Sequence, residues 1–280
     1  FLVFFLLFFI DDTNFYLKIF LLSIFIIGLI SDINFLSNPN IRFFLQFALV
    51  FYFVFSLDLR IFGIGLDFID YYLSNKYVNY SFSIFCILIL VNGFNFIDGL
   101  NTLALGYFLI VICSLMFVEN KYFYDFTIFK NYGSILFLFF LYLLILKGNL
   151  FLGDSGSYIL GLYLGVKIIF INKTYPEISA WYFALLLWYP AFEILFSIIR
   201  KNLNKKSPFK PDSEHLHQAI FLKIKNIYPN DYANPITANL INFYNLLSIF
   251  LGSLYIFESK KLGVIILFNI IFYILIFNRY

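Results

Sequence analysis

Apolar runs long enough to cross a lipid bilayer follow one another along almost the whole chain, parted by short polar interruptions. A bilayer hydrocarbon core of about 30 Å takes ~20 residues of helix. On that measure residues 17–30, 41–57, 81–97, 102–118, 132–147, 156–172, 180–199, 237–256 and 262–277 are candidate spans, and residues 1–10 are a partial one. Several are short for a full crossing, so their ends are expected to reach into the neighbouring polar segments. The longest polar stretches, 58–80 and 200–236, leave no room for a separate soluble domain. The pattern predicts one all-α integral membrane domain over residues 1–280. It is a polytopic bundle of about ten transmembrane helices, the form in which backbone polar groups satisfy one another inside lipid. Whether 58–80 contains an external helix stays open.

Composition strengthens this reading. Hydrophobic residues make up 62% of the chain and charged ones 12%, with a mean hydropathy of +0.89. Soluble domains carry about a quarter charged residues, so a water-wetted globule is excluded and the lipid bilayer is the expected surrounding. The formal charge of +3 is too small to point to a nucleic-acid partner. Cys86 and Cys113 both fall inside apolar runs and read as packed thiols, with no zinc-ligand spacing. The chain opens on Phe1 and its single methionine is Met116. A fragment, a trimmed product or a cleaved leader is therefore expected.

Alternating the spans places loops 31–40, 98–101, 148–155 and 200–236, with the C-terminus, on one side. Basic residues divide almost evenly between the two sides. Loop 200–236 breaks the tie with Arg200, Lys201, Lys205, Lys206, Lys210, Lys223 and Lys225. The positive-inside rule makes this side cytoplasmic, and a bacterial inner membrane is the expected location.

The polar chemistry gathers on the same side. Gly28-Leu29-Ile30-Ser31-Asp32 ends one span and is followed by Arg42 and Gln46. Asp32 alone reads equally well as an acid solvated at the interface. Next, Asn92, Asn95, Asp98 and Asn101 recur every third residue, which on a helix gathers them on one broad face. An Asp at membrane depth costs ~2.5–3.5 kcal/mol, so such groups face protein or a wet cavity. The plainer alternative is a hydrogen-bonding stripe between helices. Gly153-Asp154-Ser155-Gly156-Ser157 then opens a span after Gly148 and Asn149. Asp154 sits where an N-cap would be. The functional alternative uses free N–H groups for phosphate and a carboxylate for Mg²⁺. Finally, Pro208 and Pro211 precede His215-Leu216-His217, which holds the only histidines of the chain. Two residues apart, they share a side only on extended backbone. Anion contact suits them better than a metal, and idle surface histidines are the alternative. Leu216, Ile220, Ile224 and Ile227 form an apolar stripe that predicts an amphipathic helix on the membrane surface.

The order of these motifs resembles the polyprenyl-phosphate N-acetylhexosamine-1-phosphate transferases, glycosyltransferase family 4. The matching stretches are GLISDINFLSNPNIRFFLQF, NGFNFIDGLNTLALG, FLGDSGSYILGLYLG and PFKPDSEHLHQAI, spread over residues 28–220. The resemblance implies transfer of a sugar-1-phosphate from a UDP-N-acetylhexosamine to undecaprenyl phosphate, releasing UMP at the first membrane step of envelope-glycan assembly. It implies Mg²⁺, with Mn²⁺ as the alternative, held by Asp154 and Asn95. It further implies Asp32, Asp98 and Asp154 as catalytic residues, with Asn92, Asn95, Arg42, His215 and His217 binding substrate. A homodimer is compatible with it. The chain looks nearer to the amino-sugar branch than to the phospho-MurNAc-pentapeptide enzymes, because the segment after Asp32 is short and the loop reads His-Leu-His.

The chain departs from the family in three places. Ser31-Asp32 stands where the family pairs two aspartates, and Asp98-Gly99-Leu100-Asn101 replaces Asp-Gly-Leu-Asp. The family's first span and its basic Pro-Arg-x-Gly-Gly segment have no counterpart, so the chain is expected to begin inside the second span. The rival readings are a transporter, which would place polar groups near mid-membrane, and a non-catalytic membrane scaffold.

Overall fold

In a computed structural model the described residues are 15–123, 132–148, 150–205, 207 and 214–279. They form eleven helices: α1 Phe15–Asp32, α2 Pro39–Ser56, α3 Asp67–Leu73, α4 Lys76–Ile97, α5 Leu103–Tyr122, α6 Tyr132–Leu146, α7 Gly153–Thr174, α8 Ala180–Leu203, α9 Leu216–Lys225, α10 Asn230–Ser253 and α11 Ser259–Arg279. Among the described residues, eight helices are long and apolar enough to cross a membrane, and Leu136–Leu146 is a shorter apolar helix. The all-α polytopic bundle read from the sequence is therefore what forms. The expected partial span 1–10 lies outside the described residues.

Local signals start several helices. Asn38 caps α2 by accepting from the Asn40 N–H, with Pro39 as first helical residue. Asn75 accepts from the N–H groups of Tyr77 and Val78 at the start of α4, and Ser179 accepts from Trp181 at the start of α8. Each cap satisfies donors that a helix start leaves without partners.

Buried α7 is the axis of the bundle, packed by α1 on one flank and α4 on the other. Small residues permit these approaches. A Cβ on Gly28 would stand 2.4 Å from Ser155 Cα, and one on Gly161 would stand 2.5 Å from the Leu90 carbonyl oxygen. In lipid, where apolar burial drives little association, backbone-to-backbone packing of this kind holds helices together. Pro190 lies inside the continuous helix α8. A proline has no N–H, so the carbonyl four residues back loses its helical partner. That carbonyl belongs to Leu186, and the Tyr107 hydroxyl of α5 donates to it at 3.0 Å.

The segment 58–80 contains a short helix, α3. The Asn79 side chain accepts from Ile61 N–H and donates to the Ile61 carbonyl, while Asn172 accepts from Phe62 N–H. Asp70 accepts the N–H groups of Ile64, Gly65 and Leu66. Asn79 and Asn172 tie the backbone before α3 to the bundle, and Asp70 ties it to α3 itself, at the end remote from Asp154.

Candidate active site

The C-terminal ends of α1 and α4 and the N-terminal ends of α2, α7 and α9 meet at one end of the bundle. The central group is Asp154 in the first turn of α7. Its Oδ2 accepts from the Ser31 hydroxyl at 2.6 Å and from Arg42 Nη1 at 2.8 Å, and its Oδ1 accepts from Asn95 Nδ2 at 2.7 Å. Arg42 Nη1 also donates to Ser31 Oγ at 2.7 Å, and Asn95 Nδ2 reaches Ser157 Oγ at 3.2 Å. Donors from three other helices thus share one half-buried carboxylate.

Asp154 does not cap its own helix, as one expectation had it. Leu152 holds the N-cap position and makes no side-chain cap bond. The cap comes from α1: Asp32 Oδ1 accepts from Asp154 N–H at 2.8 Å and Oδ2 from Ser155 N–H at 3.1 Å. Gly153, at φ +68°, makes the fit, since a Cβ there would lie 2.9 Å from the Asp32 carboxylate. The helix start already holds an anion, so those two N–H groups are not free to receive phosphate.

The expected common face of Asn92, Asn95, Asp98 and Asn101 forms only in part. Asn92 Nδ2 donates to Gln46 Oε1 at 3.0 Å, and Asn95 reaches Asp154. The helix then stops at Ile97, with Asp98 as C-cap and Thr102 at φ +74° beyond it. Asn101 therefore leaves the face, and its backbone N–H donates to Asn234 of α10. The half-buried Asp98 side chain makes no hydrogen bond or ion pair among the described residues. Burial first, then the negative charges of Asp154 and Asp32, push its carboxyl well above the usual carboxylate range.

The histidine segment closes another wall. His215 has extended backbone and precedes α9, so it and His217 fall on one side, with rings nearly parallel and 5.5 Å apart. Phe96 of α4 meets His215 edge-on at 5.0 Å. A Cβ on Gly99 would lie 2.9 Å from His217 Nε2, so the histidines pack against the Asp98–Gly99 turn. His217 is fully buried, and both ring nitrogens lack a hydrogen-bond partner among the described residues. Burial first, then the neighbouring His215, pushes its imidazole down to about 4, against the opposing pull of Glu193. At neutral pH it is an uncharged ring. Neither histidine is a surface group.

Glu193 is a site residue the sequence reading missed. This buried α8 carboxylate accepts from Leu216 N–H at 3.2 Å and lies 3.1 Å from His215 Nδ1. An acid inside the run 180–199 was the available signal. The amphipathic helix α9 also docks differently from the expectation. Leu216 and Ile220 are buried, and α9 packs on α10 and α11 within the bundle. Its apolar stripe covers protein, leaving Ile227 exposed beyond the helix end. Asn149, Lys206, Pro208, Lys210 and Pro211 lie outside the described residues.

Among the described residues no three His, Cys, Asp or Glu side chains cluster as a metal-binding group. Asp154 and Asn95 nonetheless offer hard oxygen donors beside Asp32 and Asp98. Arg42 is paired to Asp154, and the negative charges of Asp154 and Asp32 both act on Asp98. That donor set and surplus negative charge fit a small divalent cation with oxygen preference, such as Mg²⁺.

The family model described as Glycosyl transferase family 4 matches residues 14–172. The undecaprenyl-phosphate alpha-N-acetylglucosaminyl 1-phosphate transferase of Thermotoga maritima is 33% identical over 135 residues, which is 48% of this chain and 40% of that protein. A probable undecaprenyl-phosphate N-acetylglucosaminyl 1-phosphate transferase of Bacillus subtilis is 24% identical over 202 residues, 70% of this chain and 55% of that protein. The chain thus spans about half the length of the curated relatives it matches.

Proposed function

The chain belongs to glycosyl transferase family 4, and from that premise we propose that it moves N-acetylglucosamine-1-phosphate, or a related N-acetylhexosamine-1-phosphate, from a UDP-sugar to undecaprenyl phosphate, releasing UMP. The observation that carries the reading is the Asp154 carboxylate, held by Ser31, Arg42 and Asn95 where several helices end together. Such a place suits a substrate whose head group lies at the bilayer surface and whose tail lies in lipid.

In the proposed reaction an oxygen of the lipid phosphate attacks the phosphorus bonded to the sugar. The bond to the UMP oxygen breaks, and UMP leaves with that electron pair. A phosphate monoester is largely ionised near neutral pH, so the nucleophile needs no aspartate at position 31, where this chain has serine. Catalysis is then a matter of placement and fixed charge. Asp154 and Asn95 would hold Mg²⁺ or Mn²⁺, which when bound offsets charge on the pyrophosphate. Arg42 presents a cation that can exchange Asp154 for a substrate phosphate. Asp32 keeps Asp154 in position through the start of α7. His215 and neutral His217 line the donor side as hydrogen-bonding rings. The basic residues Arg200, Lys201, Lys205, Lys223 and Lys225 at this end support a cytoplasmic orientation in a bacterial inner membrane.

The test uses membranes carrying the protein, undecaprenyl phosphate, Mg²⁺ and UDP-N-acetylglucosamine, with UMP release as the signal. Release is expected to require both the lipid phosphate and the metal. Asp154→Asn is expected to lower it by about 10²–10³-fold, the scale of losing one fixed electrostatic contact, while membrane insertion persists. No release with any UDP-N-acetylhexosamine from correctly inserted protein would overturn the reading.

A further inference from the structure

An ionisable side chain in a membrane span is costly and calls for a named partner. Glu193 lies in span α8, and only 1% of it is exposed. Two of its partners are on α9 and the residue before it, and the Tyr273 hydroxyl of α11 also acts on it. Oε1 accepts from Leu216 N–H at 3.2 Å and faces His215 Nδ1 at 3.1 Å. Leu216 is the first residue of α9, and His215, the N-cap, makes no side-chain cap bond of its own. One carboxylate oxygen therefore does two things. It supplies the cap that α9 lacks, and it fixes one ring nitrogen of His215. A ring held at Nδ1 has its plane and its tautomer set, which determines what Nε2 presents. His217 follows by contact, its ring stacked on that of His215 and wedged against Gly99.

We propose that Glu193 is a positioning residue of the transferase, acting through His215 to hold the His215–Leu216–His217 segment in register with the Asp98–Gly99 turn for the phosphates of the nucleotide sugar. This rests on the reading of the site given above. Glu193 itself is buried behind the histidines and touches no substrate. Removing it is expected to weaken donor binding in ground state and transition state alike, which raises KM and leaves kcat nearly unchanged.

The experiment measures kcat and KM for UDP-N-acetylglucosamine and for undecaprenyl phosphate in wild type, Glu193→Gln, Glu193→Ala, His215→Ala and the Glu193→Ala/His215→Ala double variant. Glu193→Ala is expected to raise the donor KM about tenfold, the effect of losing an orienting hydrogen bond. The lipid KM and kcat should stay within about twofold. Glu193→Gln keeps an acceptor oxygen and should recover most of the loss. The double variant should be no worse than His215→Ala, because a residue acting through another adds nothing once that other is gone. Losses that multiply, or that fall equally on both substrates with no rescue by glutamine, would overturn the proposal. If wild type shows no turnover, the transferase reading fails by itself and a second measurement decides the contact. With only two histidines in the chain, imidazole ¹⁵N spectra of labelled protein resolve the His215 Nδ1–H signal. That signal should be lost in Glu193→Ala and kept in Glu193→Gln; an unchanged spectrum in Glu193→Ala would overturn the assignment.

Discussion

At the scale of the residue, His217 ties the site to the acid limit of the fold. Its buried ring nitrogens have no hydrogen-bond partner among the described residues, and burial pushes the imidazole down to about 4. An unfolded chain protonates its histidines near 6.5, so across that interval the unfolded state binds the extra proton. The contribution of His217 to stability is complete above about pH 6.5 and is lost as pH falls toward 4, by ~3 kcal/mol over the whole window. Asp98 has the opposite sign, since its raised carboxyl favours the folded state at low pH. The informative quantity is therefore the difference between wild type and His217→Gln. Thermal midpoints in detergent should show wild type losing ground to the variant between about pH 6.5 and 4; parallel curves would contradict the burial of the ring. Asp154, Asn95, Arg42 and the histidines were legible because polar groups in an apolar sequence need a reason. Ser31 was seen only as a departure from a pattern, because a serine at a span end signals nothing until Arg42 and Asp154 are beside it.

At the scale of the element, helix existence was legible and helix ends were not. Eight expected spans correspond to the eight long helices, since an unbroken apolar run in lipid has no other stable form. The span 81–97 ends where α4 does, yet the polar repeat was read on to Asn101, and the N-cap of α7 was placed at Asp154 instead of Leu152, because the acceptor that serves this helix start is Asp32, distant in sequence. Asp32→Ala should release the N–H groups of Asp154 and Ser155 and cost ~1–2 kcal/mol, as other lost caps do. Thermal unfolding in detergent measures this, and Asp32→Asn should retain part of the stability. The N–H that α8 lacks at Pro190 gives a second expectation. Tyr107→Phe leaves the Leu186 carbonyl without its donor and should cost ~1–3 kcal/mol. In a Pro190→Ala background the helix can supply its own N–H, so the same substitution should cost less. Equal costs in the two backgrounds would break the link between Pro190 and Tyr107.

At the scale of the whole molecule, the described polar residues singled out in four separate stretches of sequence lie at one end of the bundle, and the short helix α3 lies at the other. Span alternation predicted this sidedness. It follows that a membrane-impermeant thiol reagent applied to intact bacterial cells should label Tyr71→Cys and spare Lys205→Cys, in a background lacking Cys86 and Cys113. The reverse pattern would put the Asp154 end outside. The contact of Asp32 with α7 adds a consequence for biogenesis. The two partners are 122 residues apart, so a ribosome delivering the chain into the membrane releases Asp32 long before its N–H partners exist. Until α7 enters and docks, Asp154 has neither its anchored helix nor its three donors. The candidate site is thus assembled only when α7 docks, and a nascent chain stalled before that point carries Asp32 and Asp98 without Asp154.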